Sequence, residues 1–455
     1  MTVKRRSHPP PRRDRKPPSR HTPLPSPVQL HRNLDPNLHQ QERAHEYTRA
    51  LNAVKLSKTF AKPFLAAFAH EDGVTCLAKN KQRVNSLLAG CADGELRLWD
   101  VARRRSLRRL VGHTQAVTGV SVTADGENCV SSSTDGSVRL WKVPFALFET
   151  GDVLDDIAET LSFRAKGALH AIDHHWRDER FATGGHTVDV WDHGRTQPIH
   201  SFHWGSDAAC AVRFNPAEPE LLASTGGDRS VALYDLRMAT PLRKIVMQTK
   251  SNALAWNPME PFNFVVANED TCLYSYDMRN LKTSTSVHRD FVSAVMDVDF
   301  SPTGKEFVAG SYDRTVRIFP SRGGHSRECY HTKRMQRVFA VQYSVDATYI
   351  YSGSDDMNVR MWKAQAGEQL GTRLPQERHA QAYQQALIKR YEHMPEVRRI
   401  GRDKPLPRQI KKARKLRVVM EDAERRRRTN RIEHSAPGTV EVKPLRKKKI
   451  IAELE

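Results

Sequence analysis

Serine, histidine and aspartate recur through the middle of this 455-residue chain at spacings that invite a nucleophilic reading. His113, Ser133 and Asp135 place a base, a hydroxyl and a carboxylate in one stretch, and His203, His288, His331, Ser311 and Ser354 stand upstream of comparable aspartates. Nucleophilic catalysis by such a set needs one activated constellation in one pocket. Here the set returns along the chain, which is the behaviour of a hydrogen-bond relay that satisfies buried polar groups. The adjacent pair His174-His175 lacks a nearby third ligand for a metal. The six cysteines, Cys76, Cys91, Cys129, Cys210, Cys272 and Cys329, lie at least 15 residues apart, which excludes CxxC zinc sites and argues against a disulfide scaffold. No phosphate-binding loop, GxSxG elbow or HExxH helix occurs. The expectation is a non-enzyme without cofactor or metal.

What positions these residues is a short pattern that returns seven times: ADGELRLWD, TDGSVRLWK, GHTVDVWD, GDRSVALYD, EDTCLYSYD, YDRTVRIFP and DDMNVRMWK. The closing aromatics, Trp99, Trp141, Trp191, Tyr234, Tyr276, Phe319 and Trp362, are spaced by 42, 50, 43, 42, 43 and 43 residues. A period of about 40–45 residues with this ending is the signature of WD repeats, four strands to a blade. The fold class expected is all-β: a seven-bladed WD40 β-propeller with a basic α-helical C-terminal extension and a disordered basic N-terminal arm.

Each copy is legible on its own. In TDGSVRLW, Asp135-Gly136 supplies a hairpin turn that needs positive φ, and Val138 and Leu140 alternate with Arg139 as a half-buried strand. Six repeats carry an aspartate six residues before the aromatic: Asp93, Asp135, Asp228, Asp270, Asp313 and Asp356. The third has Gly185-His186 instead. The 50-residue interval before it implies an insertion around Phe145–Thr160, where Asp152, Asp155, Asp156 and Glu159 indicate an exposed loop. An open ring would leave unpaired sheet edges, so a strand near Phe64–Ala69 is expected to join the last blade, whose other strands come from Val338–Lys363.

The charge of +21 is not spread evenly. Residues 1–62 hold 14 Lys/Arg against 4 Asp/Glu, residues 371–455 hold 24 against 11, and the intervening body holds 35 against 37. A near-neutral body with two basic ends delegates polyanion contact to the ends. The chain divides on this basis into a disordered Pro/Arg-rich arm (1–33), a leader (34–57), the propeller (58–365) and a basic helical domain (371–455). The arm holds KRR at Lys4–Arg6 and RRDRK at Arg12–Lys16, a nuclear address or a backbone-binding arm. No stretch approaches the ~20 apolar residues of a membrane span, and the N-terminus has no apolar signal core. An intracellular protein with no membrane partner is expected.

After Trp362 the periodicity stops. Pro375 and Pro407 mark helix starts, predicting helices over 376–393 and 407–430, the second needing a partner surface to order because Ile410, Leu416 and Val419 form no continuous stripe. Candidate phosphate contacts are Arg398, Arg399, Lys411, Lys412, Arg414, Lys415, Arg425, Arg426, Arg427, Arg428, Arg431, Arg446, Lys447, Lys448 and Lys449. Tyr383 and Tyr391 are the only aromatics beyond Trp362, so backbone or shape contact is favoured over base stacking.

Stretches outside the repeats are more specific: the leader LDPNLHQQERAHEYTRALNAVKLSKTFAKPFLAAF, internal AIDHHW, FNPAEPELLAS, WNPMEPFNF and YHTKRMQRVFAVQY, and the tail RYEHMPEVRRIGRDKPLPRQIKKARKLRVVMEDAERRRRTNRIEHSAPGTVEV. Over about residues 34–455 these resemble the suppressor-of-fibrillarin family. GRDKPLP at Gly401–Pro407 departs from that family's usual Arg/His-rich tail. The resemblance implies a nuclear, nucleolar scaffold of the small-subunit processome, a monomer within a large assembly, whose partners are U3 small nucleolar RNA, pre-rRNA and processome proteins. An alternative also comes with it. Animal members of the family are substrate receptors of cullin-RING (cullin-4 type) ubiquitin ligases, docking an adaptor through an aromatic-Asp-x-Arg strand end, and Tyr234–Arg237 and Tyr276–Arg279 match that pattern. Arg237 and Arg279 are the adaptor candidates.

Overall fold

A computed structural model describes residues 35, 38–143, 161–204, 207–238, 240–436, 438–440 and 443–454. The N-terminal arm and the Phe145–Thr160 insertion lie outside the described residues. Seven antiparallel sheets follow one another in chain order. Blade 1 runs from Val74–Lys79 to Arg105–Leu110, blade 2 from Val117–Val122 to Leu161–Arg164, and blade 3 from Ala171–His174 to His200–Phe202. Blades 4, 5 and 6 begin at Ala209–Phe214, Ser251–Trp256 and Val295–Phe300. Blade 7 takes Val338–Tyr343, Tyr349–Ser354 and Asn358–Lys363 and completes itself with the early strand Phe64–Ala69, as the closure argument requires. Phe64 stands opposite Trp362 and Ala69 opposite Asn358. The innermost strands of successive blades lie side by side, the first blade's beside the last blade's, so the ring is closed.

Apolar side chains fill the seams between blades, and polar groups stitch them at the hub. The backbone N–H of Phe214 donates to Asp173 (2.8 Å), that of Val341 to Asp297 (2.8 Å) and that of Tyr343 to Asp299 (2.8 Å). Each carboxylate thereby satisfies a backbone donor of the next blade. Lys79 closes onto Asp299 at 2.8 Å across the axial channel, a cavity of about 340 Å³. Burial pushes the Asp297 carboxyl up to about 6 against the pull of Arg213.

The turn aspartates act as the repeat pattern implies. Asp135 accepts from the backbone N–H of Ser137 (2.7 Å), and Gly136 adopts φ 76°. At the same position in later blades stand Arg229, Thr271, Arg314 and Met357, each with φ between 63° and 72°. Arg229, Thr271 and Arg314 accept a left-handed conformation because the preceding aspartate clamps the turn, Asp228, Asp270 and Asp313 each binding the N–H two residues on; before Met357, Asp356 holds Arg360 instead.

Among the described residues five helices accompany the ring: α1 (Glu42–Thr59), α2 (Pro375–Arg390), α3 (Pro395–Arg402), α4 (Arg408–Glu433) and α5 (Leu445–Lys448). The helix expected over 376–393 ends at Arg390 with Tyr391 as its cap, and Met394, held extended before Pro395, opens α3. The helix expected over 407–430 extends to Glu433. Helix α1 packs against α2 and α3, with Tyr391 donating to Glu46 (2.8 Å), Arg390 paired to Glu46 (3.0 Å) and Tyr47 donating to Glu396 (3.2 Å). A last strand, Ile450–Leu454, adds to Pro241–Met247 at the outer edge of blade 4, Leu454 opposite Lys244. None of the described helices is long and apolar enough to cross a membrane.

Candidate functional site

The recurrent Ser-His-Asp sets resolve into structural networks. In blade 2, His113 contacts Asp135 through Nδ1 (3.2 Å) and Ser131 through Nε2 (2.7 Å), and the Trp141 indole N–H donates to the same Ser131 hydroxyl (2.8 Å). The linking hydroxyl is Ser131; Ser133 instead donates to the Gln115 carbonyl (3.1 Å). Burial raises the Asp135 carboxyl, but donors from Ser137, Thr114 and His113 overcome it and hold the group at about 2. The other expected histidines do something else. His203 is exposed, and Asp228 pairs with Lys244 at 2.8 Å. His288 meets Ser275 (3.1 Å) and Ser286 (3.0 Å), while Asp313 takes Thr315 and Arg317 as partners. Asp356 pairs with Arg360 in place of His331. An unforeseen histidine serves blade 1: His70 accepts from the Trp99 indole (3.1 Å), and burial lowers its pKa to about 4, keeping it neutral.

His174 and His175 are likewise held by structure. His174 meets the His175 carbonyl (2.6 Å) and His193 (3.2 Å), and His175 accepts backbone N–H groups of Arg177 and Asp178. Burial pushes the Cys76 and Cys129 thiols up to about 12, away from nucleophilic use.

The tail cations separate into two groups. Arg398 and Arg399 on α3, Lys411, Lys412, Lys415, Arg425, Arg426, Arg427 and Arg431 on α4, and Arg446 and Lys447 on α5 are exposed. The remaining four candidates are half-buried and engaged. Arg414 reaches Asp290 (3.3 Å), Arg428 and Lys448 converge on Glu424 (3.0 and 3.2 Å), and Lys449 approaches Asp270 (3.6 Å).

Asp290 is the hub that sequence reasoning missed. Its side chain is fully buried and accepts from the Ser326 N–H (2.8 Å), the Ser326 hydroxyl (2.6 Å), Lys404 (3.2 Å) and Arg414, with His325 at 3.0 Å. Burial raises this carboxyl, but the Ser326 donors and the Lys404 charge override it and hold it well below the ordinary carboxylate range. Lys404 comes from the divergent GRDKPLP segment. One turn beyond Arg414, Arg417 donates to the Phe291 carbonyl (2.9 Å). Helix α4 is thereby pinned across blades 5 and 6 by charge rather than by an apolar stripe.

The two aromatic-Asp-x-Arg motifs end the third strands of blades 4 and 5, at the opposite end from the turn aspartates. Arg237 grips Asp235 through Nε (3.0 Å) and Nη2 (2.7 Å), and Arg279 grips Asp277 likewise (3.0 and 2.8 Å). Both guanidinium groups stay out in solvent, the side chains 71% and 63% exposed. Arg279 stacks over Phe262 at 4.2 Å, and a recess of about 320 Å³ floored by Leu221, Leu233 and Met278 adjoins it.

Residues 364–450 match the Sof1-like domain, and residues 62–100, 104–142, 280–319 and 327–363 match the WD domain, G-beta repeat. The chain is 45% identical over 425 residues to DDB1- and CUL4-associated factor 13 of Xenopus laevis, spanning 93% of this chain and 94% of that protein. It is 45% identical over 423 residues to the Homo sapiens protein of the same name, spanning 92% and 94%. With protein SOF1 of Saccharomyces cerevisiae it shares 44% identity over 421 residues, 88% of this chain and 86% of that one.

Proposed function

This chain belongs to the Sof1-like family of WD-repeat proteins, and from that premise we propose that it is a non-catalytic scaffold of the small-subunit processome, acting in pre-rRNA processing and small ribosomal subunit biogenesis with the U3 small nucleolar ribonucleoprotein. On this reading residues 58–365 bind neighbouring proteins, residues 371–455 bind U3 and precursor RNA, and the protein resides in the nucleolus. The observation that carries it is the segregation of charge. A near-neutral ring anchors α4 by its inward cations and leaves Arg425, Arg426, Arg427 and Arg431 exposed together on its C-terminal half. Cross-linking with sequencing of the attached RNA tests this. U3 and precursor small-subunit rRNA enriched on α3–α5 are expected; background RNA there would overturn it.

A second reading rests on Arg237 and Arg279. Their exposure in adjacent blades, each preset by its aspartate, supports docking of the adaptor of a cullin-4-type ubiquitin ligase, and the names of the vertebrate relatives speak for this role more directly than for the first. Arg237→Ala/Arg279→Ala is expected to abolish co-purification of a DDB1-type adaptor while leaving folding intact. An adaptor that fails to bind the parent protein ends this reading.

A further inference from the structure

Helix α4 has a face that neither the ring nor a phosphate backbone accounts for. At 100° per residue, Ile410, Arg414 and Arg417 share the side that meets blades 5 and 6, where Ile410 is buried and Arg414 and Arg417 reach Asp290 and Phe291. Centred roughly 140° around the helix from them lie Leu416, Val419, Met420 and Ala423, the i, i+3, i+4, i+7 spacing of a helix that fills an apolar groove. Leu416, Val419 and Met420 are 63%, 63% and 64% exposed, a contiguous patch on a helix otherwise dominated by charge. Lys412 stands one turn before Leu416 on this face, and Arg426 and Arg427 stand about one turn after Ala423; all three are exposed.

We propose that this face is a docking surface for a protein partner that presents an apolar groove rimmed by carboxylates. The groove takes Leu416, Val419 and Met420, and acidic groups at its two ends meet Lys412 and Arg426–Arg427. Phosphates satisfy the cations but offer nothing to three large apolar side chains, so a nucleic acid leaves the centre of the face unexplained. The proposal goes beyond the RNA reading and does not depend on it.

The test places a photo-cross-linking residue at position 419 of the full-length chain in cells and identifies the joined segment by mass spectrometry, with a probe at exposed Val84 as control. A cross-link to a partner segment rich in apolar residues and flanked by Asp or Glu is expected. Leu416→Glu/Met420→Glu should reduce it at least tenfold, and Lys412→Glu/Arg427→Glu should weaken it, with thermal melting unchanged. Nucleotides at position 419, a second copy of this chain, a segment without carboxylates, or a yield no higher than at position 84 each overturn it. RNA cross-links at Arg425 and Arg431 report on the processome reading separately and should persist in Leu416→Glu/Met420→Glu.

Discussion

Replacing Asp290 by Asn should undock α4 from a ring that still folds. Asp290 is a ring residue, yet two of its partners, Lys404 and Arg414, belong to the tail. Removing one member of a buried ion pair costs roughly 3–5 kcal/mol because the remaining charges lose their partner. Part of that is local to the ring, through Ser326. The tail's share is isolated by a double-mutant cycle with Lys404→Met, for which contacting charged residues give about 0.5–3 kcal/mol of coupling. At about 2 kcal/mol, amide exchange in residues 408–417 should quicken roughly thirtyfold in Asp290→Asn. Hydrogen-exchange mass spectrometry on the full chain measures this. The carboxyl is depressed in the folded state, so the docking contribution is complete above the unfolded value of about 4 and fades as pH falls further toward the folded one. Unchanged exchange in 408–417, or a coupling below about 0.3 kcal/mol, refutes the electrostatic clamp.

Phe68→Ala empties a site 2% exposed in the closing strand and should cost about 3–5 kcal/mol, read from denaturant unfolding; a loss under ~1 kcal/mol would mean the strand does not hold blade 7 shut. Ser131→Ala deprives both Trp141 Nε1 and His113 Nε2 of their shared partner and should cost about 2–4 kcal/mol by the same measurement. Removing residues 449–455 should raise exchange along Pro241–Met247, whose outer edge then lacks a neighbour, without lowering protection of blade 1; protection of Pro241–Met247 equal to that of the full chain would refute the pairing.

The ring was legible because its signals are local and repeated. A turn aspartate, an alternating strand and a closing aromatic lie within nine residues in TDGSVRLWK and return at a fixed period. Even Phe64–Ala69 could be assigned, since a closed ring leaves one place for it. The histidines were less legible, because one position is served differently from blade to blade: Lys244 answers Asp228, and Arg360 answers Asp356. The tail's docking was hidden for a different reason. Ile410 is the one buried residue of α4, so no apolar stripe announces a packed face. Asp290 and Lys404 are 114 residues apart, a distance no local pattern spans. Helix α1 carries its signal only weakly, in Glu42 at its first turn and the buried Ala50, Ala53 and Val54.

On the proposed RNA-binding reading, the docking of the tail limits which cations RNA can reach, and salt dependence exposes the limit. The sequence offers fifteen candidate cations, but Arg414, Arg428, Lys448 and Lys449 are half-buried against carboxylates, leaving eleven exposed, Arg425 among them although it approaches Asp422 at 3.8 Å. Each neutralised phosphate contributes about −0.7 to −0.9 to the slope of log K against log salt, so these eleven together can supply no more than roughly −10 for duplex and −8 for single-stranded RNA. Arg427→Gln should make it shallower by about one such unit. Arg414→Gln should leave the slope unchanged while loosening α4 in hydrogen exchange, because its charge is spent on Asp290. Equal changes from Arg414→Gln and Arg427→Gln would mean that the helix leaves the ring to bind RNA and that the inward and outward cations form a single surface.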